Sequence, residues 1–236
     1  MDFPISDCQA KFPAMSTPSS TPVIAIDGPS ASGKGTVAAR IAAALGFHYL
    51  DSGALYRLTA LAAIHRGVDF KSQQEVASIA ATLNASFLEG MILLDDEDAT
   101  ETIRSEAIGE GASQVATHPL VRQALLQRQR DFQRDPGLVA DGRDMGSVVF
   151  PNAVLKVFLT ASPAERANRR HKQLIAKGES AILTDILQDI EQRDARDRAR
   201  TVAPLQILPD AKLLDTTQMG IDCAVRQVLN WYAEII

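Results

Sequence analysis

One short segment of the sequence has the composition of a phosphate-binding loop. It reads Gly28-Pro29-Ser30-Ala31-Ser32-Gly33-Lys34-Gly35-Thr36 and has the G-x-x-x-x-G-K spacing of a Walker A loop. Glycines let consecutive backbone N–H groups turn towards one phosphate, and the lysine adds a mobile positive charge that follows the transferring phosphates. We therefore predict that these residues bind the phosphates of a nucleotide.

The residue after the loop lysine predicts how a metal is held. A Ser or Thr hydroxyl normally stands there and binds magnesium, but this sequence has Gly35 and carries its hydroxyl one residue later, on Thr36. We therefore expect Mg²⁺ to be held mainly by phosphates and water, with a carboxylate nearby, and the direct protein ligands stay unknown.

Two carboxylates and an arginine follow a buried-strand pattern further along the chain. Asp141, Arg143 and Asp144 come directly after the apolar run 138–140. Open α/β sheets place ligands at the carboxyl ends of their strands, and such charges are costly unless they bind something. Three interpretations of Asp141 remain open: it orients water on magnesium, it holds Arg143, or it forms an internal Asp–Arg pair that closes a loop.

A second charged group is predicted on one helix face near the C-terminal end of the sequence. Arg193, Asp197 and Arg200 have i, i+4, i+7 spacing, so they share a face and can act together. For Arg196 and Arg198 the prediction is a solvated face with i,i+4 salt bridges.

The pattern of apolar residues predicts how these groups are positioned. A strand over 23–27 precedes the loop, and an alanine-rich helix over 36–45 follows it and ends at Gly46. Strands alternate with helices, which indicates a three-layer α/β fold with a parallel central sheet. Further helices are predicted near 54–66, 73–83, 120–134, 163–177, 183–200 and 220–233, further strands at 138–140, 154–159 and 212–215, and an antiparallel hairpin at 86–95.

Charge is distributed unevenly along the chain. The formal net charge is −5, yet residues 81–110 hold eight acidic side chains against Arg104 alone, so the rest of the chain is slightly positive. Twelve of the 17 arginines lie between positions 122 and 200, and arginine is suited to bidentate phosphate contacts. The acidic block reads as an insertion in the α/β core, and we expect its face to be solvated.

Composition also excludes several classes of protein. Two cysteines, Cys8 and Cys223, make neither a disulfide framework nor a metal cluster, and no apolar run is long enough to span a bilayer. Asp2 and Asp7 stand where a secretory signal needs basic residues. We expect a cytoplasmic protein that binds no nucleic acid or membrane and acts as a monomer.

Four motifs in order give the sequence a specific resemblance. The Gly-Lys-Gly-Thr ending of the loop is typical of nucleoside monophosphate kinases. Three further segments, 50–57 (LDSGALYR), 140–146 (ADGRDMG) and 193–198 (RDARDR), resemble those of the bacterial cytidylate kinases. The resemblance runs from about residue 22 to the C-terminus and includes the insertion. It implies a flexible leader at 1–21, a P-loop kinase core at 22–72 and 115–236, an inserted NMP-binding sub-domain at 73–114 and a helical lid at about 163–181.

The resemblance also implies a reaction and roles for single residues. Members of this family transfer the γ-phosphoryl group of ATP to CMP or dCMP, with Mg²⁺. By resemblance the whole loop, 28–36, binds ATP, and the lid arginines Arg166, Arg169 and Arg170 close over the donor phosphates. The expected catalytic residues are Lys34, Arg143, Arg166 and Arg170. The expected CMP-binding residues are Ser52, Arg57, Ser113, Arg122, Asp141, Arg143, Asp144, Arg193, Asp197 and Arg200.

Three rival functions fit the sequence less well. A switch GTPase needs D-x-x-G and N-K-x-D motifs, and no Asp here has a Gly three residues on, nor does any Asn precede Lys. A kinase of a non-nucleotide metabolite would not need the large acidic insertion or the face that carries Arg193 and Asp197. A catalytically inactive nucleotide-binding module would typically have lost Lys34 or the acceptor arginines.

Overall fold

The computed structural model describes residues 21–88 and 90–236. The predicted leader at 1–21 lies outside this part of the chain, except for Thr21. A five-stranded parallel sheet forms the centre and has the order β2-β6-β1-β7-β8. Its strands are β1 (Val23–Asp27), β2 (His48–Asp51), β6 (Leu138–Gly142), β7 (Leu155–Thr160) and β8 (Lys212–Asp215). The predicted parallel sheet is confirmed.

Alternation of side chains along β1 explains why both faces of the sheet are covered. Val23 and Ala25 point into one apolar cluster, and Ile24 and Ile26 point into a second cluster on the other face. Helices α1 (Lys34–Leu45) and α8 (Ile221–Ala233) pack together on the second face. Each β1 side chain is almost fully buried, as expected for a central strand of a doubly covered parallel sheet.

The opposite face is covered by helices on both sides of the acidic block. These are α2 (Ser52–His65), α3 (Gln73–Ala81), α4 (Glu106–Val115) and α5 (Pro119–Arg130), with α2 against α4 and α3 against α5. Between α3 and α4 lies an antiparallel sheet of β3 (Ala85–Leu88), β4 (Met91–Leu94) and β5 (Glu97–Asp98). A 3₁₀ turn, Thr102–Arg104, leads into α4. The predicted hairpin is confirmed, and its third strand is an addition.

Two long helices complete the fold above the sheet. They are α6 (Pro163–Ala176) and α7 (Leu183–Ala199), which pack against each other. Ser162 caps α6 by accepting a hydrogen bond from the N–H of Glu165, with Pro163 in the first turn. Predicted helix ends lie within four residues of the observed ones; the largest difference is in α5, which ends at Arg130.

Besides β5 and the 3₁₀ turn, three elements were not predicted, each for a different reason. Strand β2 has only four residues and both its ends are polar. Helix α4 contains Gly109 and Gly111, which lower helix propensity, yet a Cβ on Gly111 would lie 2.7 Å from the Phe70 ring. A π-helix, Met145–Val149, follows β6 and has no distinctive sequence pattern.

Candidate active site

A cavity of about 360 Å³ opens between the carboxyl ends of β2 and β6, the phosphate loop and helices α2, α4, α6 and α7. Its volume is in the range of small-molecule sites. The predicted site residues that line it are Ser30, Ala31, Lys34, Gly35, Ser52, Arg57, Ser113, Arg122, Asp141, Arg143, Asp144, Arg170, Arg193, Asp197 and Arg200. Those that do not line it are Gly28, Pro29, Ser32, Gly33, Thr36, Arg166 and Arg169.

The shape of the phosphate loop depends on two glycines and on the start of α1. Gly28 passes so close to β7 that a Cβ would lie 2.0 Å from the carbonyl oxygen of Leu159. Gly33 has a φ of 92°, in the left-handed region that side chains disfavour, and it caps α1. Ala31 also has a positive φ, 56°, so this loop carries local backbone strain. The first two residues of α1, Lys34 and Gly35, line the cavity, so the positive end of the helix faces it.

Donors at the loop end of the cavity have few protein partners. The Oγ of Ser30, which lines the cavity, and the Oγ of Ser32, which does not line it, are both buried without a hydrogen-bond partner. Lys34 forms no ion pair with a carboxylate of the described residues, and its ammonium lies 3.5 Å from the carbonyl oxygen of Pro29. Burial, with Arg143 adding to it, lowers the pKa of Lys34 to about 8. Buried donors without hydrogen-bond partners are typical of a site that binds an anion.

A pair of carboxylates faces Lys34 from neighbouring strands. Asp51 and Asp141 are register partners at the ends of β2 and β6. Asp51 caps α2 by accepting a hydrogen bond from the N–H of Ala54, and Asp141 Oδ2 accepts one from the Tyr49 hydroxyl at 2.7 Å. Burial and repulsion by Asp51 raise the pKa of Asp141 to about 7. Neither Asp51 nor Tyr49 was predicted as a site residue, although Asp51 belongs to the 50–57 motif.

The arginines across the cavity are already paired with carboxylates. Asp197 accepts from Arg143 Nε at 2.7 Å and also pairs with Arg200, so one carboxylate holds two guanidinium groups. Burial opposes the charge of Asp197, but Arg143 and Arg200 outweigh it and lower the pKa of this carboxyl group. The predicted helix face is therefore brought to β6, with Asp197 at its centre.

Two further arginines that line the cavity contact backbone carbonyls of the acidic block. Arg57 donates to the carbonyl oxygen of Ile103 at 2.6 Å, and Arg193 donates to that of Gly109 at 3.5 Å. Burial lowers the pKa of both guanidinium groups. Both side chains line the cavity, so they are also available to an anion bound there.

The far end of the cavity combines aromatic, charged and hydroxyl groups. Arg122 pairs with Asp144, and its guanidinium lies over the Tyr56 ring, 5.7 Å from the ring centre. The Oγ of Ser113 and the Nε of Arg200 are buried there without a partner. Tyr56 was missed as a site residue because one aromatic in a helix pattern gives no signal of its own. These groups suit a planar ring that carries donors and acceptors.

An aspartate before the phosphate loop fixes the backbone of that far end. Both carboxylate oxygens of Asp27 accept hydrogen bonds at 2.8 Å, from the N–H groups of Met145 and Gly146. Burial raises the pKa of Asp27 to about 6, although the two hydrogen bonds oppose the shift. These contacts connect the strand that leads into the loop with the turn that carries Asp144.

The three arginines of α6 have different contacts: Arg166 and Arg169 donate to carbonyls of the phosphate loop, and Arg170 lines the cavity. Arg166 is 2% exposed and donates to Asp194, to the carbonyl oxygen of Ser30 and to that of Ala161. Arg169 donates to the carbonyl oxygen of Ser32 at 3.1 Å. The i, i+3, i+4 spacing predicted one shared face above the donor phosphates, and only Arg170 reaches the cavity. In this conformation Arg166 instead joins α6, α7 and the outer side of the phosphate loop.

The described acidic side chains of the block are exposed or half exposed, as the sequence predicts, but some of them also form ion pairs with other elements. Three of its glutamates pair with cations of α6, α7 and the turn after α6: Glu101 with Lys177, Glu106 with Arg170, and Glu110 with Arg196. The prediction for Arg196 was wrong, because its partner lies on α4 and not on its own helix. Arg198 is 3.9 Å from Asp194, in i,i+4 spacing as predicted.

The carboxylates of the site do not by themselves make a metal cage. Within residues 21–88 and 90–236, no cluster of three or more His, Cys, Asp or Glu side chains has metal-binding geometry. Asp51 and Asp141 each have one oxygen engaged in the hydrogen bonds described above, which leaves the second for water or metal. Among the described helices, none combines the length and apolar character needed to cross a bilayer.

Comparison with known proteins gives one consistent result. The family model described as cytidylate kinase matches residues 24–234. A cytidylate kinase of Chromobacterium violaceum is 64% identical over 213 residues, which cover 90% of this chain and 96% of the relative. One from Polynucleobacter asymbioticus is 59% identical over 218 residues, covering 92% and 99%. One from Burkholderia vietnamiensis is 58% identical over 212 residues, covering 90% and 93%.

Proposed function

Because this chain belongs to the cytidylate kinase family, we propose that its cavity is the site where the γ-phosphoryl group of ATP passes to CMP or dCMP. The comparisons confirm the family that the four motifs predicted. They also confirm the class of enzyme, an ATP-dependent kinase of cytidylates. One observation carries the assignment to this cavity: unpartnered loop donors and carboxylate-paired arginines face each other across one space.

The loop end holds the donor in this proposal. Backbone N–H groups of 28–36 surround the β-phosphate, the hydroxyl of Ser30 supplies a further donor, and Lys34 follows the transferring group. Its lowered pKa suits this role, because a bound phosphate restores the charge that burial opposes. Arg170 reaches the same space from α6 and exchanges Glu106 for phosphate when ATP binds.

The arginines of α2, of α7 and of the residues that follow β6 and α7 hold the acceptor phosphate. Ser52 and Arg57 of α2, Arg143 just after β6, Arg193 of α7 and Arg200 just after α7 all line the cavity. The nucleophile is an oxygen of the CMP phosphate, which is already an anion, so no general base is required. Catalysis then consists of holding two anionic groups in line and neutralising their charge, which these arginines do.

The far end of the cavity reads the base. Asp144 accepts a hydrogen bond from the exocyclic amine of cytosine, and Arg122, Ser113 and Arg200 supply donors to the ring. Asp197 contributes by orienting Arg143 and Arg200 and by facing the acceptor's ribose and phosphate. Uracil presents a carbonyl where cytosine has its amine, so it would face the Asp144 carboxylate without a donor and be rejected.

Kinases that use ATP generally need a divalent metal, and we assign Mg²⁺ here. The donor set fits an ion held mainly by phosphates and water, because Gly35 offers no hydroxyl, while Asp51 and Asp141 line the cavity and each have one oxygen outside the hydrogen bonds described above. When bound, Mg²⁺ would supply positive charge that neutralises the phosphates. Asp51 and Asp141 are the residues that would accept hydrogen bonds from water on the ion.

Movement of two segments completes the proposed mechanism. Residues 163–181 act as the lid, and residues 73–114 act as the inserted sub-domain that closes over the acceptor, while 22–72 and 115–236 form the core. The ion pair of Glu106 with Arg170 supports this division, because it bridges the two segments. Closure excludes water from the transferring phosphoryl group.

The remaining assignments follow from the substrates. We assign the enzyme to the cytoplasm, where ATP and cytidylates are used, and expect it to act as a monomer without nucleic acid or membrane partners. A coupled assay of ADP formation with CMP, dCMP, UMP and AMP tests the function. We expect rapid turnover with CMP or dCMP and slow turnover with UMP. Equal rates with AMP would contradict the pyrimidine assignment.

A further inference from the structure

We propose that Tyr49, a residue outside the quoted motifs, is a positioning residue for phosphoryl transfer because its hydroxyl holds Asp141 away from Lys34. The proposal rests on the proposed function, since it concerns the same cavity. Tyr49 lies on β2, two residues before Asp51, and reaches Asp141 on the neighbouring strand β6. Its hydroxyl donates to Asp141 Oδ2 at 2.7 Å.

The hydrogen-bonded pair of Tyr49 and Asp141 occupies the space beside Gly35. A Cβ on Gly35 would lie 3.2 Å from Asp141 Oδ2 and 3.4 Å from the Tyr49 hydroxyl. A Ser or Thr at this position, as in the usual Walker A loop, would therefore direct its hydroxyl against both groups. The polar groups next to the loop lysine come here from β2 and β6, and the glycine makes room for them.

The Asp141 carboxylate lies between a charge that repels it and a charge that attracts it, so its orientation needs a restraint. Asp141 is 3% exposed and lies near Asp51, which repels it, and near Lys34, which attracts it. A free carboxylate would turn towards the lysine ammonium and form the ion pair that the structure lacks. The Tyr49 hydrogen bond engages one oxygen on the Gly35 side, so Lys34 stays available to the phosphates. Burial and the two carboxylates raise the pKa of Tyr49, so its hydroxyl remains a donor.

The proposal predicts a defined effect of removing one oxygen atom. Tyr49→Phe keeps the ring and removes the hydrogen bond, so we expect kcat to fall roughly tenfold, the typical worth of a hydrogen bond to a charged group. The KM for CMP should change less than about twofold, because the acceptor arginines are untouched. Tyr232→Phe is the matched control, since Tyr232 is a buried tyrosine of α8 that packs on Phe47 outside the cavity.

A double-mutant cycle with Asp141→Asn tests whether Tyr49 acts through Asp141. Because an amide does not pair with Lys34 as a carboxylate does, we expect Tyr49→Phe to change kcat less than about twofold in the Asp141→Asn background. Equal effects of Tyr49→Phe in both backgrounds would overturn the proposal, as would an unchanged kcat in the single variant.

A readout independent of turnover completes the test and separates it from the proposed function. Titration calorimetry of ATP binding without CMP should show severalfold weaker binding to Tyr49→Phe and no change for Tyr232→Phe. Unchanged affinity would contradict the claim that Lys34 becomes sequestered. The proposed function is tested by the wild-type protein alone: if it fails to phosphorylate CMP, the function is wrong, whereas effects confined to the variants concern only Tyr49.

Discussion

The two ends of the cavity satisfy their polar groups in opposite ways. At the phosphate loop, Ser30, Ser32 and Lys34 lack side-chain or ionic partners within the described chain. At the acceptor end, the guanidinium groups of Arg143 and Arg122 are held by Asp197 and Asp144. The loop is one contiguous segment that a helix end and glycines preorganise. The acceptor end is assembled from separate elements, and its like charges need carboxylates between them.

This difference predicts how each end binds its ligand. A phosphate that binds at the loop contacts donors that have no partner to release first, so its binding needs little rearrangement. A phosphate at the acceptor end competes with carboxylates for arginines that are already paired, so binding exchanges one anion for another. In the proposed mechanism the acceptor end gains selectivity at a cost in affinity, because the carboxylates that hold its arginines also contact the ligand.

The largest expected effect is at the loop end. Lys34→Met should lower kcat roughly 1,000-fold, because it removes the one mobile charge aimed at the transferring phosphoryl group. The KM for CMP should stay within a few-fold of the wild-type value. Steady-state kinetics check this, with Lys212→Met, an exposed lysine of β8, as the control. A loss below tenfold would place the decisive charge elsewhere.

At the acceptor end, Arg143→Met should lower kcat/KM for CMP about 100-fold, because a buried phosphate ligand is lost. Asp197→Asn should have a smaller effect, about tenfold, since it only loosens Arg143 and Arg200. Arg226→Met on the exposed side of α8 serves as the control. If Asp197→Asn were the more damaging change, the carboxylate and not the arginines would be the principal contact.

Asp144 is the residue that we propose distinguishes cytosine from uracil. Asp144→Asn should reduce the preference for CMP over UMP about tenfold, because an amide can donate to the uracil carbonyl as well as accept from the cytosine amine. The ratio of the two kcat/KM values measures this. Asp210→Asn, at the surface pair with Lys156, controls for the loss of a carboxylate. An unchanged ratio would remove Asp144 from base recognition.

Two of the three arginines of α6, Arg166 and Arg170, allow a structural contribution to be distinguished from a catalytic one. Arg170→Met should lower kcat about fivefold with little change in Tm, because its partner Glu106 is half exposed. Arg166→Met leaves Asp194 buried without its main partner, so we expect Tm to fall by several degrees. Thermal denaturation and kinetics of both variants decide this. Loss of kcat without loss of Tm in Arg166→Met would restore the sequence prediction that Arg166 acts on the donor phosphates.

The smallest expected effect is a change in stability with pH. The raised pKa of Asp141, about 7, means that folding disfavours its ionised form, so its contribution to stability is lost as pH rises through that value. Asp141→Asn should therefore raise Tm of the nucleotide-free protein by ~3 °C at pH 8 and less at pH 5.5. Melting curves at both pH values check this. A lower Tm at pH 8 would show that attraction to Lys34 outweighs burial.

The sequence predicted most elements of the fold because their signals are local. Buried strands such as β1 are continuous apolar runs, and α6 begins with its own Ser162-Pro163 cap. Strand β2 and helix α4 escaped prediction because their residues owe their conformation to neighbours: β2 to pairing with β6, and α4 to packing on α2. Tertiary contacts override weak local preference in both cases.

By itself the sequence determined the phosphate loop, because nine contiguous residues between a strand and a helix carry both its shape and its charge. It also determined the family, through motifs whose order the chain fixes. Only the tertiary structure decided which way each arginine points: Arg166 and Arg170 are four residues apart on one helix, yet one is buried against Asp194 and the other lines the cavity. Spacing fixes an angle around a helix, but the elements packed on each side decide what a side chain at that angle meets.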